Sequence, residues 1–351
     1  MNLRSHGAPD DAGRTYDALL YLSFGGPEGP DEVMPFLERV TAGRGVPRER
    51  LEEVAEHYLM FGGVSPINAQ NRAVVDALRA ELARSGPEIP VYWGNRNAPP
   101  LVEDVVAQMK ADGVRRAAAF VTSAWSSYSG CRQYREDIAR AQEAAGHGAP
   151  KIDKLRQFFN HAGFIEPQAE KVAAALEAVP APRRGEVRLL FTAHSIPVAM
   201  AETSSYVQQM EEASRLAASL GAPGLAWDVA WQSRSGPPEV PWLEPDVGEH
   251  IEKLAAEGVT DVVVVPIGFV SDHLEVKFDL DVEAARTAAE CGVNMVRAET
   301  VGAHPRYVRM IRDLLVERMT PNPQRAFLGD WGAMHDICAA DCCPAPQRGP
   351  A

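Results

Sequence analysis

The feature that most constrains the fold is a regular alternation of short apolar runs with amphipathic stretches of helical spacing. Short runs rich in β-branched residues predict buried strands, and the amphipathic stretches between them predict helices that pack one face on a sheet. This order of elements is typical of βαβ units and a largely parallel sheet, so we predict an α/β fold. The predicted strands are residues 17–23, 90–94, 116–122, 187–193, 227–231, 261–267 and 293–298.

Two segments suggest that the chain contains two similar α/β halves. MKADGVRRAAAFV (residues 109–121) and LAAEGVTDVVVVP (residues 254–266) each combine a helix end, an acidic residue, a glycine after the helix and a buried strand. A glycine between helix and strand is common enough for this likeness to arise by chance. The boundary is expected between residues 145 and 186, where the Gly/Pro-bearing GHGAP and the Pro-rich VPAPRRGE bracket one helix.

Composition and charge limit the classes of partner. Of the 351 residues, 46% are hydrophobic, which is enough for a substantial core, and the formal net charge is -13. Because there is no long run of Lys and Arg, we expect a small-molecule partner and no nucleic acid. The longest apolar stretches have about half the length of a membrane-spanning helix, and the N-terminus lacks a signal-peptide core. We therefore expect a soluble, cytoplasmic protein without integral membrane association.

The most informative polar residues follow two predicted strands of the second half. His194 comes directly after residues 187–193, and the strand 261–267 leads to Asp272, His273 and Glu275. A single strand-end histidine is more often structural, but two strand ends that both deliver imidazole or carboxylate favour a functional site. His194 and Glu275 are then a metal-ligand or proton-transfer pair.

A helix that begins at Glu275 would align three carboxylates. Asp279 and Glu283 follow at i+4 and i+8, so the three side chains span an arc of about 80° on one face. Such a ridge is usually a solvated face. The functional alternative is a path of oxygen ligands that conducts a hydrated divalent cation toward His194.

Three loops of the first half have the composition of a ligand site. The segment SFGGPEGP (residues 23–30) follows a strand, FGGVSPIN (61–68) offers Ser65, and residues 123–134 are dense in hydroxyls and aromatic rings. Ligands of open α/β sheets bind at the carboxyl ends of strands, and flat rings with polar rims suit a large planar ligand that carries carboxylates. Tight turns and a Ser-rich helix cap are the structural alternatives. The glycine spacing of SFGGPEGP is not GxGxxG, so a nicotinamide or nucleotide enzyme is only a distant alternative.

The five cysteines are unevenly distributed. Cys338, Cys342 and Cys343 lie in the last fourteen residues, whereas Cys131 and Cys291 stand alone. In a reducing compartment this grouping favours a metal over disulfides. The tail loses helical and strand periodicity from Thr320 onward and would fray unless it is tethered, for which the cysteines are the obvious candidates. We expect Cys291, at a helix-to-strand junction, to be a buried apolar residue.

Taken together, these segments resemble the ferrochelatases, which insert ferrous iron into a porphyrin in haem biosynthesis. The resemblance extends from about residue 17 to 318. It implies an α/β fold of two Rossmann-like, chelatase-type halves (residues 17–155 and 156–319) that face each other across a porphyrin cleft. A flexible N-terminus (1–16) and a cysteine-bearing C-terminal extension (320–351) complete the expected organisation. The matching segments are LSFGGPEGP (22–30), FGGVSPIN (61–68), TAHSIP (192–197), WQSRSGPPEVPWLEP (231–245) and PIGFVSDHLEVKFDLD (266–281).

The resemblance also implies residue roles. His194 and Glu275 match the iron-binding and catalytic pair of the family, with Asp272 and His273 in support. The remaining matches are Asp279 and Glu283 in the acidic metal path, Ser65 and Tyr134 as porphyrin contacts, and Phe24 as a cleft-lining residue. Position 24 is Tyr in some bacterial members, so a metal ligand from that side is lost here.

Two further features follow from the resemblance. TAGRGVPRER (residues 41–50), which contains Arg44, resembles the actinobacterial branch, and this implies coproporphyrin III as the substrate with Arg44 near its propionates. Several ferrochelatases carry a [2Fe–2S] cluster on one internal and three C-terminal cysteines. Four thiolates suffice for such a cluster. The matching residues are Cys131, Cys338, Cys342 and Cys343.

Other functions remain open at this point. A protoporphyrin IX ferrochelatase or another tetrapyrrole metal chelatase would have a similar fold. A non-catalytic haem carrier or an iron–sulfur sensor on the same scaffold would not need the ridge of Glu275, Asp279 and Glu283. The expected partners are a porphyrin and ferrous iron, and the expected oligomeric state is a monomer.

Overall fold

The protein is described over residues 13–345 by a computed structural model. The first half contains a parallel sheet in the order β2-β1-β3-β4 with helices on both faces. Its elements are β1 (Ala18–Ser23), α1 (Pro30–Val40), α2 (Arg48–Leu59), α3 (Pro66–Ser85), β2 (Val91–Asn95), α4 (Val102–Ala111), β3 (Arg116–Val121), a π-helical turn (Tyr128–Arg132), α5 (Gln133–Ala145) and β4 (Lys151–Lys154).

The second half repeats this arrangement. Its sheet is also parallel, in the order β6-β5-β7-β8. Its elements are α6 (Ala162–Glu177), a 3-10 turn (Ala181–Glu186), β5 (Arg188–His194), α7 (Val198–Glu202), α8 (Tyr206–Gly221), β6 (Trp227–Gln232), α9 (Val247–Ala256), β7 (Asp261–Val265), α10 (Leu274–Phe278), a π-helical turn (Asp279–Ala284), α11 (Ala285–Glu290), β8 (Asn294–Arg297) and α12 (Pro305–Met319). The predicted α/β fold of two parallel-sheet halves is confirmed.

The likeness between residues 109–121 and 254–266 has a structural cause. The first segment joins α4 to β3 and the second joins α9 to β7, and β3 and β7 occupy equivalent positions in the two sheets. Gly113 and Gly258 both have positive φ, +80° and +89°. Only glycine adopts this backbone readily, so each helix ends there and the chain turns into the strand.

One strand was not predicted. β4 (Lys151–Lys154) is four residues long, lies at an edge of the first sheet and pairs only with β3. Its sequence KIDK has one apolar residue, because an edge strand that is partly exposed needs no apolar face.

The largest apolar core is shared by the two halves. Phe120 of β3 stacks on Phe158 with ring centroids 5.1 Å apart, and Phe158 contacts Tyr307 of α12 at 6.0 Å. α12 packs against both α3 and α6. The division near residue 155 therefore stays a prediction, since this core extends across it. No helix in the described part of the chain combines the length and the hydropathy needed to cross a membrane.

The C-terminal tail is tethered by polar contacts that the sequence did not suggest. The guanidinium of Arg156 donates two hydrogen bonds to the carboxylate of Glu317, at 2.5 and 2.9 Å, and a third to the carbonyl of Ala326 at 2.9 Å. Arg325 and Arg318 both pair with Asp336, at 2.5 and 3.2 Å. Within residues 320–345 these ion pairs fix the tail to α12, so the tether is not confined to the predicted cysteines.

Two smaller expectations concern the chain ends and Cys291. Cys291 is exposed, since it follows the last turn of α11 and the buried positions there are Ala288 and Val293. The expectation that it is buried is wrong. Of the predicted flexible N-terminus, residues 1–12 lie outside the described residues. The amide of Gly13 donates to the carbonyl of Arg318 at 3.1 Å, and Tyr16 is buried.

Glu317→Gln tests the tether. The variant leaves the guanidinium of Arg156, only 1% exposed, without its anionic partner, so we expect a loss of about 3–5 kcal/mol in the free energy of unfolding. Chemical denaturation followed by tryptophan fluorescence measures it. The control is Glu53→Gln, which removes the exposed pair with Arg50 and should cost less than about 1 kcal/mol. Equal effects of the two variants would contradict the tether.

Candidate active site

The carboxyl end of β5 carries the most reactive side chain of the site, the imidazole of His194. Nδ1 of His194 lies 2.5 Å from the carbonyl oxygen of Ser195. Because a carbonyl oxygen only accepts hydrogen bonds, Nδ1 carries the proton and donates it to this bond. In the tautomer with its single proton on Nδ1, Nε2 keeps a lone pair that can accept a proton or bind a metal ion.

The backbone around His194 is fixed on three sides. The hydroxyl of Tyr206, at the start of α8, donates to the carbonyl of His194 at 2.9 Å. The amide of Ser195 donates to the carbonyl of Gln232 at 2.7 Å, and its hydroxyl donates to the carbonyl of Leu243 at 2.9 Å. The imidazole is thus held by elements that are themselves packed in the second sheet.

The loop after β7 brings a second histidine and a carboxylate close to His194. His273 begins α10, and its Nδ1 accepts a hydrogen bond from the amide of Val276 at 3.0 Å. Its Nε2 lies 3.8 Å from Oε2 of Glu275. Burial lowers the pKa of His273, the carboxylate of Glu275 opposes this, and the neighbouring His194 lowers it further. The structure thus brings His194, His273 and Glu275 into one electrostatic cluster.

The acidic ridge is present, but its helix is not regular. Only residues up to Phe278 form α10, and a π-helical turn covers Asp279–Ala284. The uniform α-helix expected from Glu275 onward is therefore wrong, because the hydrogen bonds shift to i→i+5 after one turn. Glu275, Asp279 and Glu283 still interact electrostatically, and Glu283 is the exposed end of the row.

Asp279 is a half-buried member of the ridge, between Glu275 and Glu283 in sequence. Burial raises the pKa of Asp279 to about 7. The hydroxyl of Ser233 and the amide of Gln232 donate to Oδ2 of Asp279 and act against this rise, whereas the charges of Glu275 and Glu283 add to it. Neither Ser233 nor Gln232 was predicted. Gln232 could have been found, since it directly follows the predicted strand 227–231 and so stands at a strand end.

Asp272 does not contact His273 through a hydrogen bond. Its carboxylate pairs with Arg297 at 3.1 Å, and Arg297 also pairs with Asp281 at 2.5 Å. The amide of Asp272 donates to the side chain of Gln70 on α3 at 2.9 Å. Asp272 therefore fixes the loop that carries His273 and Glu275, and it connects this loop to the first half.

Helix α2 of the first half forms the opposite wall of the acidic ridge. The ring of His57 stacks on Phe278 with centroids 3.9 Å apart and an interplanar angle of 12°. Burial raises the pKa of the adjacent Tyr58, and the charges of Glu275 and Asp279 raise it further. Leu274 of α10 packs in an apolar cluster with residues of α1 and α2. No sequence pattern predicted these contacts, because α2 has the spacing of an ordinary amphipathic helix.

The predicted porphyrin contacts of the first half differ in accessibility. Phe24 follows β1, contacts the ring of Phe36 edge-on at 6.1 Å and lies under the guanidinium of Arg96 at 5.8 Å. Tyr134 is only 4% exposed and packs below the same guanidinium at 4.5 Å. Arg96, which follows β2 and pairs with Asp137 at 2.5 Å, was missed although it also stands at a strand end.

Ser65 and Arg44 lie in very different surroundings. Ser65 is buried before α3, and its amide donates to the carbonyl of Pro27 at 2.8 Å. A Cβ on Gly26 would come within 2.6 Å of Ser65, so glycine is required for this close approach. Arg44 is exposed in the loop between α1 and α2, and its guanidinium makes no ion pair with residues 13–345.

The four predicted cluster cysteines are brought together. The thiols of Cys131 and Cys338 are hydrogen-bonded to each other, Cys338 also contacts Cys342, and the sulfurs of Cys342 and Cys343 lie 3.7 Å apart. Within residues 13–345, however, no three His, Cys, Asp or Glu side chains converge as they do around a single metal ion.

Comparison with known proteins identifies the family. The ferrochelatase family profile matches residues 16–319. The chain is 55% identical over 336 residues to a coproporphyrin III ferrochelatase from Mycolicibacterium vanbaalenii, with 93% of this chain and 98% of the relative covered. Proteins of the same name from Nocardia farcinica and Streptomyces griseus are 54% and 51% identical, covering 95% and 96% of this chain and 98% and 95% of theirs. The chain belongs to the ferrochelatase family, as the motifs predicted.

Solved structures with a similar fold are also chelatases. The sirohydrochlorin chelatase SirB from Bacillus subtilis, in complex with cobalt, aligns with a TM-score of 0.51 and 12% identity over 89% of this chain and 100% of that one. SirB with Fe3+ aligns with a TM-score of 0.53 and 13% identity over 87% and 96% of the two chains. At this identity the match concerns the fold, and it agrees with the predicted chelatase-type arrangement of two halves.

Asp279→Asn tests the raised pKa of Asp279 through the pH dependence of stability. A carboxyl whose pKa is higher in the folded than in the unfolded chain binds more protons when folded, so the free energy of unfolding falls as pH rises between the two values. Asn does not titrate, so the free energy of unfolding of the variant does not fall in this way. From about pH 4 to about pH 7 the variant should gain about 2 kcal/mol relative to wild type, half of the full effect because the carboxyl is partly solvated. Urea denaturation measures the gain, and a pH-independent difference between the two proteins would contradict it.

Proposed function

We propose that this protein inserts ferrous iron into coproporphyrin III and so forms coproheme. The observation that carries the proposal is the geometry at the carboxyl ends of β5 and β7. His194, whose Nδ1 is bonded to the Ser195 carbonyl, and Glu275 both interact with His273, and Glu275 also interacts with Asp279 of the acidic ridge. The coproporphyrin III ferrochelatases with more than 50% identity over nearly the whole chain support the choice of reaction and of porphyrin.

The chemistry requires two protons to leave the porphyrin as iron enters. Each of the two pyrrole N–H groups must pass its proton to a base before its nitrogen can bind the metal. Nε2 of His194 accepts one proton, and its ring is held in the required tautomer by the Ser195 carbonyl. Glu275, about 40% exposed, accepts the other proton or binds the incoming iron. The net change is loss of two protons and formation of the iron–porphyrin bonds.

Ferrous iron arrives hydrated and must lose its water ligands. Carboxylates are suitable ligands for this exchange, because they replace water one oxygen at a time. In our proposal the exposed Glu283 binds the hydrated ion first, and Asp279 binds it next. Glu275 then binds the ion beside the porphyrin. His273, kept neutral by burial, and Asp272, paired with Arg297, support the loop that carries Glu275.

The first half supplies the porphyrin-binding wall in this proposal. Phe24 offers an apolar ring face, and the exposed guanidinium of Arg44 is available to a propionate. Ser65 contributes by shaping the loop around Gly26. The ring of Tyr134 is buried and stacks under the guanidinium of Arg96, so Tyr134 contributes by supporting Arg96. The four propionates of coproporphyrin can form more contacts with these polar groups than the two propionates of protoporphyrin.

His194→Ala and Glu275→Gln test the catalytic pair. With ferrous iron under anaerobic conditions, wild type should consume coproporphyrin III faster than protoporphyrin IX, followed by the loss of porphyrin fluorescence. Each variant should lower kcat at least about 100-fold, because a base or a metal ligand is lost, while porphyrin affinity remains. The matched controls are the exposed His147→Ala and Glu290→Gln, which should keep full activity.

The outcomes separate the candidate functions. Faster use of protoporphyrin IX would favour a protoporphyrin ferrochelatase, and preference for cobalt or nickel would favour another tetrapyrrole chelatase. Tight porphyrin or haem binding without insertion of any divalent metal would contradict the proposed enzymatic function. A haem carrier or an iron–sulfur sensor would then be the better account.

We further propose that Cys131, Cys338, Cys342 and Cys343 hold a [2Fe–2S] cluster. The donor set fits, because four free thiols from the first half and from the tail form one connected row. Cys343 has a positive φ of 50°, a strained backbone for a non-glycine residue that is typical of functional positions. When bound, the cluster would supply a covalent link between the tail and the first half. The five free cysteines are also consistent with the cytoplasmic, monomeric protein that we infer.

Cys343→Ser tests the cluster. Wild type isolated without oxygen should contain equal amounts of iron and acid-labile sulfide and absorb in the visible range, whereas the variant should lose both because one thiolate is missing. Cys291→Ser, at the exposed fifth cysteine, is the matched control and should keep both. Wild type that takes up iron but no sulfide after anaerobic reconstitution would contradict the proposal.

A further inference from the structure

The loop that follows β3 joins the two halves through hydrogen bonds that no step of the proposed function uses. Trp125 in this loop is only 3% exposed, and its indole N–H donates to the carbonyl of Gly268 at 2.9 Å. The amide of Ser126 donates to Oε1 of Gln209 on α8 at 2.7 Å, and Nε2 of Gln209 donates to the Ser126 hydroxyl at 2.8 Å. Trp125 and Ser126 belong to the first half, whereas Gln209 and Gly268 belong to the second. We call these four residues the inter-half contact.

The side chains of the inter-half contact are buried, and their polar atoms are paired. Gln209 is 0% exposed, and both polar atoms of its amide are bonded to Ser126. The hydroxyl of Ser126 donates to Gln157, whose amide donates to the carbonyl of Trp125 at 2.6 Å. A buried polar network of this kind imposes one arrangement, because a displacement leaves buried donors and acceptors without partners. The loop is therefore fixed on the second half.

Gly268 joins the inter-half contact to β5. Its amide donates to the carbonyl of Thr192 at 3.0 Å, and a Cβ at position 268 would lie 2.5 Å from the Cβ of Ala193. Only glycine fits at this distance. Thr192 and Ala193 directly precede His194, and Gly268 lies in the loop that leads to Glu275. The carbonyl that accepts the indole N–H is thus part of the backbone that carries the proposed catalytic pair.

Gln209 is connected to His194 through α8. Tyr206, one turn earlier on the same face of this helix, donates its hydroxyl to the carbonyl of His194 at 2.9 Å. On the other side, the loop continues into the π-helical turn Tyr128–Arg132 and then into α5, which carries Tyr134. The inter-half contact thus connects the porphyrin-binding wall of the proposed function with the groups that take up its protons.

We propose that Trp125 and Gln209 are positioning residues that fix the distance between the porphyrin-binding wall and the His194–Glu275 pair. The inference rests on the proposed function. A pyrrole N–H passes its proton only within hydrogen-bond reach of the base, so an error of about 1 Å in this distance lowers the rate strongly. The inter-half contact keeps the distance the same in every complex, and neither residue needs to touch the porphyrin or the iron.

Trp125→Phe tests the inference, because it keeps an aromatic ring against Phe159 and Phe164 and removes the N–H donor. Coproporphyrin III is bound first and ferrous iron is then mixed in without oxygen, and the single-turnover rate of insertion should fall about tenfold. The dissociation constant of the porphyrin, from a fluorescence titration, should stay within about twofold of wild type, since the porphyrin-binding side chains are unchanged. Gln209→Met removes the amide from a side chain of similar length and should give the same result.

Two controls separate positioning from stability. Trp331→Phe makes the same change at an exposed ring that also packs on Phe159, and it should keep the wild-type rate. Val172→Ala truncates a fully buried side chain of α6 that forms none of these hydrogen bonds. It should lower the melting temperature and leave the rate unchanged when all variants are compared well below their melting temperatures.

Three results would overturn the inference. Wild-type insertion rates in Trp125→Phe and Gln209→Met, with only a lower melting temperature, would mean a structural role. An equal loss of rate in Val172→Ala would mean the same. A loss of porphyrin affinity as large as the loss of rate would mean that these residues act on binding. If wild type itself inserts no iron, the proposed function has failed instead, so the two failures are distinguishable.

Discussion

The hydrogen bond from Nδ1 of His194 to the carbonyl of Ser195 is the contact on which the chemistry of the cleft depends. It fixes the imidazole as the tautomer with a free Nε2, which is the form in which Nε2 can accept a proton. The bond is possible because β6 pairs with β5 in a register that brings Gln232 beside His194 and holds the amide of Ser195. A parallel sheet with β5 in its interior thus selects the tautomer of one side chain.

The rest of the site places the carboxylates of the acidic ridge in partly buried surroundings. Glu275 and Asp279 interact with each other, Glu275 also interacts with the imidazole of His273, and both carboxylates act on the buried hydroxyl of Tyr58. Burial and mutual repulsion make Asp279 a weak acid and leave the ridge ready to gain a cation. In the proposed reaction the two halves have different tasks: the second half holds the bases and metal ligands, and the first half contributes α2 as the opposite wall.

Much of this organisation follows from patterns that the sequence displays. Buried strands, their parallel order and the strand-end position of His194 were predictable, because burial on both faces leaves continuous apolar runs and chemistry collects where they end. The polar edge strand β4 was not, since KIDK has no apolar pattern. The π-helical turn after Phe278 and the tether between Arg156 and Glu317 depend on contacts between distant residues. The positive φ of Ser233 is likewise visible only in the folded backbone.

The tautomer of His194 is the most direct test of this account. Nitrogen-15 NMR of the histidine side chains distinguishes a protonated Nδ1 from a protonated Nε2, and the spectrum of His194→Gln assigns the signal by its absence. In the uncharged form of the ring we expect the proton on Nδ1 and an unprotonated Nε2. A neutral ring with the proton on Nε2 would contradict the account, because the nitrogen assigned as the base would then have no lone pair to offer.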